Sequence, residues 1–110
     1  MRQISANELA EWLAAAGRNE RPGPVLLDVR EPWEVAICRI EGALAMPMGS
    51  VPARQQELDP DAETVVVCHH GVRSYQVALF LERNGFASVH NLSGGVAAWA
   101  DDVDPSMPRY

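Results

Sequence analysis

Residues 64–74 read Thr-Val-Val-Val-Cys-His-His-Gly-Val-Arg-Ser, and this stretch narrows the possible folds more than any other. Thr64 to Val67 form a β-branched, apolar run, the pattern of a buried strand. Cys68 ends the run, a short loop follows from His69 to Arg73, and Ser74 opens a helical pattern that continues to Arg83. A strand that passes through a few polar residues into a helix suits a sheet covered by helices, where ligands gather at the carboxyl ends of the strands.

The same eleven residues carry the strongest chemical signal. Backbone N–H groups in such a loop can converge as an anion-binding nest. A helix N-terminus adds partial positive charge, which favours thiolate over thiol, and Arg73 adds a full one. A cysteine at the end of an apolar strand is also, by itself, an ordinary small core residue. Two histidines, a glycine and an arginine directly after it make a poor core sequence and a good exposed loop, which favours a reactive Cys68. Gly71 lets the loop turn tightly. Ser74 reads as a helix N-cap before it reads as a catalytic hydroxyl. Arg73 is expected to draw an anionic substrate; its alternative role is an ion pair with a nearby carboxylate. His69 and His70 are expected at the pocket mouth. Adjacent side chains on an extended loop point apart, so no chelating pair and no metal are expected.

The remaining chain alternates in the same way. Ser5 and Glu8 have capping-box spacing, and Leu9, Trp12, Leu13 and Ala16 form one apolar helical face. Val25 to Val29 is a second short strand, followed by Arg30-Glu31-Pro32-Trp33-Glu34, where Pro32 suits a first helical turn. Ala43 to Met46 is a weaker strand, and Ser50 with Pro52 opens a helix to about Leu58. Asn84-Gly85-Phe86 is a helix stop, Ser88 to Leu92 a last strand, and Val96 to Trp99 a short helix. Trp33 and Trp99 read as packing residues. Alternation of this kind argues for one α/β domain over residues 1–110, with a mainly parallel sheet between helices and an irregular tail over 101–110. Asp28 and Arg30 sit at one strand end and Cys68 at another.

Composition removes several classes of function. With a formal net charge of −6 and no lysine, the chain lacks the basic surface that nucleic acid or an anionic membrane requires. Its two cysteines, Cys38 and Cys68, form no CxxC and no zinc-type spacing with histidine. The first residues lack a signal-peptide pattern and no run approaches a membrane span, so a cytoplasmic protein with reduced thiols is expected.

Three blocks of the sequence resemble the rhodanese homology domain of the sulfurtransferases. The first is Leu27 to Glu34 with Ile40-Glu41-Gly42-Ala43 and Met46-Pro47 after it. The second is the loop Cys68 to Ser74, and the third is Asn91 to Trp99 with its Gly-Gly-x-x-x-Trp ending. They lie in family order and cover nearly the whole chain. The resemblance implies a five-stranded, mainly parallel sheet flanked by helices. It also implies transfer of sulfane sulfur from thiosulfate or a similar small anionic donor, through a Cys68 persulfide, to cyanide or a thiol acceptor, a protein thiol included. No cofactor is implied. Cys68 would be the catalytic residue, His69, His70, Gly71, Val72, Arg73 and Ser74 the substrate-binding loop, and Asp28 with Arg30 its structural support. Two departures stand out: Cys38-Arg39-Ile40 replaces the usual Gly-His-Ile, and Ala45 replaces the usual Asn or His. Cys38 thereby offers a second thiol, expected to be inert. Other readings of the site are a persulfide carrier for a protein partner and a Cys-loop phosphatase or arsenate reductase. The latter enzymes place arginine six residues after cysteine; here that position is Ser74, and Arg73 is five after.

Overall fold

The computed structural model describes residues 1–110. Its sheet contains five parallel strands in the order β1-β5-β4-β2-β3. These are β1 (Arg2–Ile4), β2 (Val25–Asp28), β3 (Leu44–Ala45), β4 (Glu63–Val67) and β5 (Ser88–Leu92). The helices are α1 (Ala6–Gly17), α2 (Pro32–Ile37), α3 (Val51–Arg54, with 3₁₀ turns on either side), α4 (Val72–Arg83) and α5 (Gly95–Asp102). Parallel neighbours need crossovers, and the helices supply them.

The strand sequences explain the two-sided burial. In β4, Val65 and Val67 join one apolar cluster with Leu9, Trp12, Val96 and Trp99; Val66 and Cys68 join the other with Val77, Ala78 and Leu81. Alternate residues of one strand thus fill cores on both faces, which is why the strand reads as continuous apolar sequence rather than as alternation. β2 and β4 are neighbours, yet the chain leaves β2 toward β3 on one side and β4 toward β5 on the other. A crevice opens at the carboxyl ends of strands whose connections diverge in this way. Asp28, Arg30 and Cys68 all lie there.

Ser5 caps α1 as its spacing predicts, with Glu8 N–H donating to Ser5 Oγ at 3.1 Å and Ser5 N–H to Glu8 Oε1 at 2.9 Å. Several local expectations need correction. β1 escapes the pattern because Arg-Gln-Ile is three residues long and lies at the sheet edge, held only by β5. The Ser50–Leu58 segment is a short α-helix between 3₁₀ turns. α4 begins two residues before Ser74, so Gly71 occupies the N-cap and Ser74 lies inside the first turn. α5 runs through Asp102, taking the first two residues of the expected tail. Trp33 is 62% exposed, so it is no core residue.

Candidate active site

Cys68 follows the last residue of β4 and is only 1% exposed. The loop curls over its sulfur. Gly71 N–H donates to Cys68 Sγ at 3.1 Å and Ser74 N–H at 3.4 Å, while the Cys68 thiol faces Ser74 Oγ at 3.2 Å. The curl depends on Gly71, whose φ of 98° lies in the left-handed region. A Cβ there would also press on Gly94 N and Leu92 O at 3.2 Å. Burial pushes the Cys68 thiol up; in the ionised form, hydrogen bonds from the Ser74 hydroxyl and from the Ser74, Gly71 and His70 amides outweigh this, leaving the group below its ordinary range. The nest expected from the sequence therefore has its amides aimed at the sulfur.

The loop is fastened from two sides. On one, the start of α5 ties its carbonyls: Val96 N–H donates to Cys68 O at 2.9 Å and Ala97 N–H to His69 O at 3.1 Å. On the other, Arg73 reaches across to α2. Its two terminal nitrogens donate to Glu34 Oε2 and Oε1 at 2.7 and 2.8 Å. Of the two roles open to Arg73 from sequence, this geometry is the ion pair. Arg73, followed by the Glu31 amide and the Tyr110 hydroxyl, holds the Glu34 carboxyl down at about 2 against the opposing effect of burial. Arg73 remains about a third exposed while Glu34 is buried.

Glu34 and Tyr110 are the residues that sequence reading overlooks here. Tyr110 O–H donates to Glu34 Oε1 at 2.8 Å and accepts from Arg30 Nη1 at 3.0 Å. Arg30 is fully buried; it donates to Asp28 Oδ2 at 2.7 Å and to Cys38 O at 2.7 Å. Asp28 and Arg30 thus form a buried, hydrogen-bonded ion pair tied to α2 through Glu34 O and Cys38 O. The Tyr110 ring stacks on His69 at 3.9 Å between centroids, and His69 stacks on His70 at 3.9 Å. The two histidines therefore do not point apart as expected: a stacked ladder with Tyr110 replaces the extended arrangement. Burial, then the neighbouring His70, keeps His69 below its ordinary range. No group of histidine, cysteine or carboxylate side chains is placed to hold a metal. The ladder lines a cavity of about 140 Å³ together with Cys38, Val96 and Ala97. Cys38 belongs to the apolar cluster on the opposite sheet face from that of Cys68, and both cysteines are free thiols.

Arg73→Ala is expected to harm folding, because it leaves Glu34 buried without its cation. The cost should be about 1–3 kcal/mol, below the range for a fully buried pair since solvent screens the exposed third of Arg73. Sign and window follow from Glu34: its folded-state pKa lies near 2 against an ordinary 4.5. The stability it contributes is complete above the higher value and is lost as pH falls through the lower one. Urea unfolding at pH 7 should separate wild type from Arg73→Ala, and the gap should close on acidification through that window. Equal stability at pH 7 would show that the pair contributes nothing.

A family model described as rhodanese-like domain matches residues 5–102. The chain is 37% identical over 98 residues to a protein named sulfurtransferase from Allochromatium vinosum, covering 89% of this chain and 87% of that one. It is 40% identical over 77 residues to the thiosulfate sulfurtransferase GlpE of Pseudomonas fluorescens, covering 70% and 71%. It is 42% identical over 89 residues to the chloroplastic rhodanese-like/PpiC domain-containing protein 12 of Arabidopsis thaliana, covering 77% of this chain and only 30% of that longer protein. Among solved structures, a rhodanese-like domain protein from Staphylococcus aureus superimposes with a TM-score of 0.82 at 32% identity, covering 94% and 95%. No helix is long and apolar enough to cross a membrane.

Proposed function

The chain belongs to the rhodanese-like domain family, and we propose that it moves sulfane sulfur from thiosulfate or a similar small anionic donor to a thiol or cyanide through a persulfide on Cys68. The observation that carries this reading is the set of loop amides turned onto the Cys68 sulfur. The names of similar proteins support a sulfurtransferase of the rhodanese type.

The chemistry follows from the loop. Cys68 thiolate attacks the outer sulfur of thiosulfate; the new S–S bond forms as the bond to the sulfonate sulfur breaks, and sulfite leaves with the electron pair. The negative charge then rests on the terminal sulfur of Cys68–S–S⁻. The amides of the loop hold it without the reorganisation that water would require. An acceptor thiolate or cyanide attacks that sulfur and returns Cys68 as thiolate. Arg73 serves mainly by keeping the loop tied to α2, since Glu34 occupies its terminal nitrogens. Two free thiols suit a reducing compartment such as the cytoplasm.

Sulfur is favoured over phosphorus by the narrowness of the site. A thiol at 1% exposure admits the single terminal atom of a sulfane donor more readily than a tetrahedral phosphate. Incubation with thiosulfate should raise the intact mass by one sulfur atom, release sulfite, and yield thiocyanate on addition of cyanide. An aryl phosphate offered in parallel should be turned over negligibly. Efficient phosphate-ester hydrolysis with no sulfur uptake would overturn the proposal.

A further inference from the structure

Behind Cys68 and Ser74 lies a buried amide side chain of β5, whose sequence is Ser-Val-His-Asn-Leu. Asn91 lies on β5, between β1 and β4, is 2% exposed, and projects toward the loop. Its amide nitrogen donates to Gly71 O at 3.1 Å and to Gln3 Oε1 at 2.9 Å. A peptide carbonyl can only accept, so the Gly71 contact fixes which end of the Asn91 amide is nitrogen. Asn91 Oδ1 therefore faces Ser74 Oγ, 2.5 Å away, and an amide oxygen likewise can only accept. The single proton of the Ser74 hydroxyl must point at Asn91. The lone pairs of Ser74 are then what Cys68 meets at 3.2 Å, and they accept the S–H.

This direction has a consequence for the nucleophile. With the hydroxyl proton on the Asn91 side, Ser74 offers the sulfur acceptor capacity, which suits thiol and not thiolate. When the thiol loses its proton, the Ser74 hydroxyl must turn to the sulfur to stabilise the charge, and Asn91 Oδ1 is left without a donor in a buried site. We infer that Asn91 is a positioning residue that competes with the Cys68 thiolate for the Ser74 proton and so sets how readily the nucleophile ionises. The strand and the loop are bound into one device: the amide that closes the loop at Gly71 also fixes the orientation of the hydroxyl beneath the sulfur.

The inference rests on Cys68 being the nucleophile, yet its test reads the thiol directly and does not require sulfur transfer. The rate of alkylation of Cys68 by iodoacetamide, with the modified residue located by peptide mass, is followed against pH. The charged and titratable groups around the loop are Arg73 paired with Glu34, Arg30 paired with Asp28, the two stacked histidines, and Tyr110, which stacks on His69 and hydrogen-bonds to Glu34 and Arg30. None is altered by the substitutions. Asn91→Leu keeps the size and removes the acceptor, freeing the hydroxyl for the sulfur. The midpoint should fall by about one unit, giving about tenfold more thiolate below it. Ser74→Ala should raise the midpoint, and Ser74→Thr should restore it. In the Ser74→Ala background, Asn91→Leu should have no further effect, because the hydroxyl through which it acts is gone. An unchanged or raised midpoint in Asn91→Leu overturns the inference, as does a fall that persists without the Ser74 hydroxyl. Should the leucine variant not fold, Asn91→Ala removes the acceptor without adding bulk and is read by the same criteria.

Discussion

Cys68→Ser is expected to lose sulfur transfer by about three orders of magnitude or more, while Cys38→Ser keeps most of it. Serine fits the space under the loop and can take the amide hydrogen bonds of Gly71 and Ser74, so the variant should fold. Its hydroxyl, however, cannot ionise near neutral pH or accept sulfane sulfur. Cys38 presents a different setting. It lines the cavity with His69 and Tyr110, its sulfur accepts from Arg30 Nη1 at 3.7 Å, and no backbone amide donates to it. A serine there exchanges one small side chain for another at the foot of α2. Thiosulfate:cyanide kinetics on the two variants side by side decide the matter. Activity surviving in Cys68→Ser would remove it as the sulfur carrier, and activity lost in a well-folded Cys38→Ser would make the second thiol a partner in the reaction.

The parts of this site that sequence makes legible are those built from neighbours in the chain. Thr64 to Ser74 shows a strand, a turn and a helix start because periodicity and loop chemistry act over a few residues, and the amides of that loop do converge on Cys68. The capping box of Ser5 with Glu8 is legible for the same reason. What stays hidden is built across the chain. Glu34 meets Arg73 over a separation of 39 residues, and Tyr110 meets Arg30 over 80. No local pattern encodes either distance. The five-stranded sheet follows from resemblance more than from pattern, since β1 is too short and too polar to show a strand period. Ser74 is misplaced as a cap because the helix starts two residues earlier than its apolar face suggests, on a glycine whose backbone replaces a capping side chain. One signal is present for Asn91: an amide between His90 and Leu92 in a strand expected to be buried demands partners, and a loop facing that strand is where such partners lie.

Gly95→Ala is expected to have a larger effect on stability than any surface change, and to disable the loop with it. Gly95 opens α5 with φ of 58°, a left-handed conformation that costs any other L-residue about 1–2 kcal/mol. Sterics add to this cost. A Cβ there would overlap the carbonyl oxygens of Cys68 and His69 and the carbonyl carbon of His69, all backbone atoms that cannot rotate away. Relief requires α5 to withdraw from the loop, which breaks the bonds from Val96 N–H to Cys68 O and from Ala97 N–H to His69 O. Together, strain and lost bonds should destabilise the protein by about 3–5 kcal/mol. Because those two carbonyls orient the peptide units leading into the nest, kcat/KM for sulfur transfer should fall even at temperatures where the variant stays folded. Gly49→Ala is the natural control, since a Cβ at Gly49 meets nothing within 4 Å and its φ is unexceptional. Urea midpoints and transfer kinetics for both variants provide the comparison. A Gly95→Ala protein as stable and as active as Gly49→Ala would mean that α5 does not hold the loop in place.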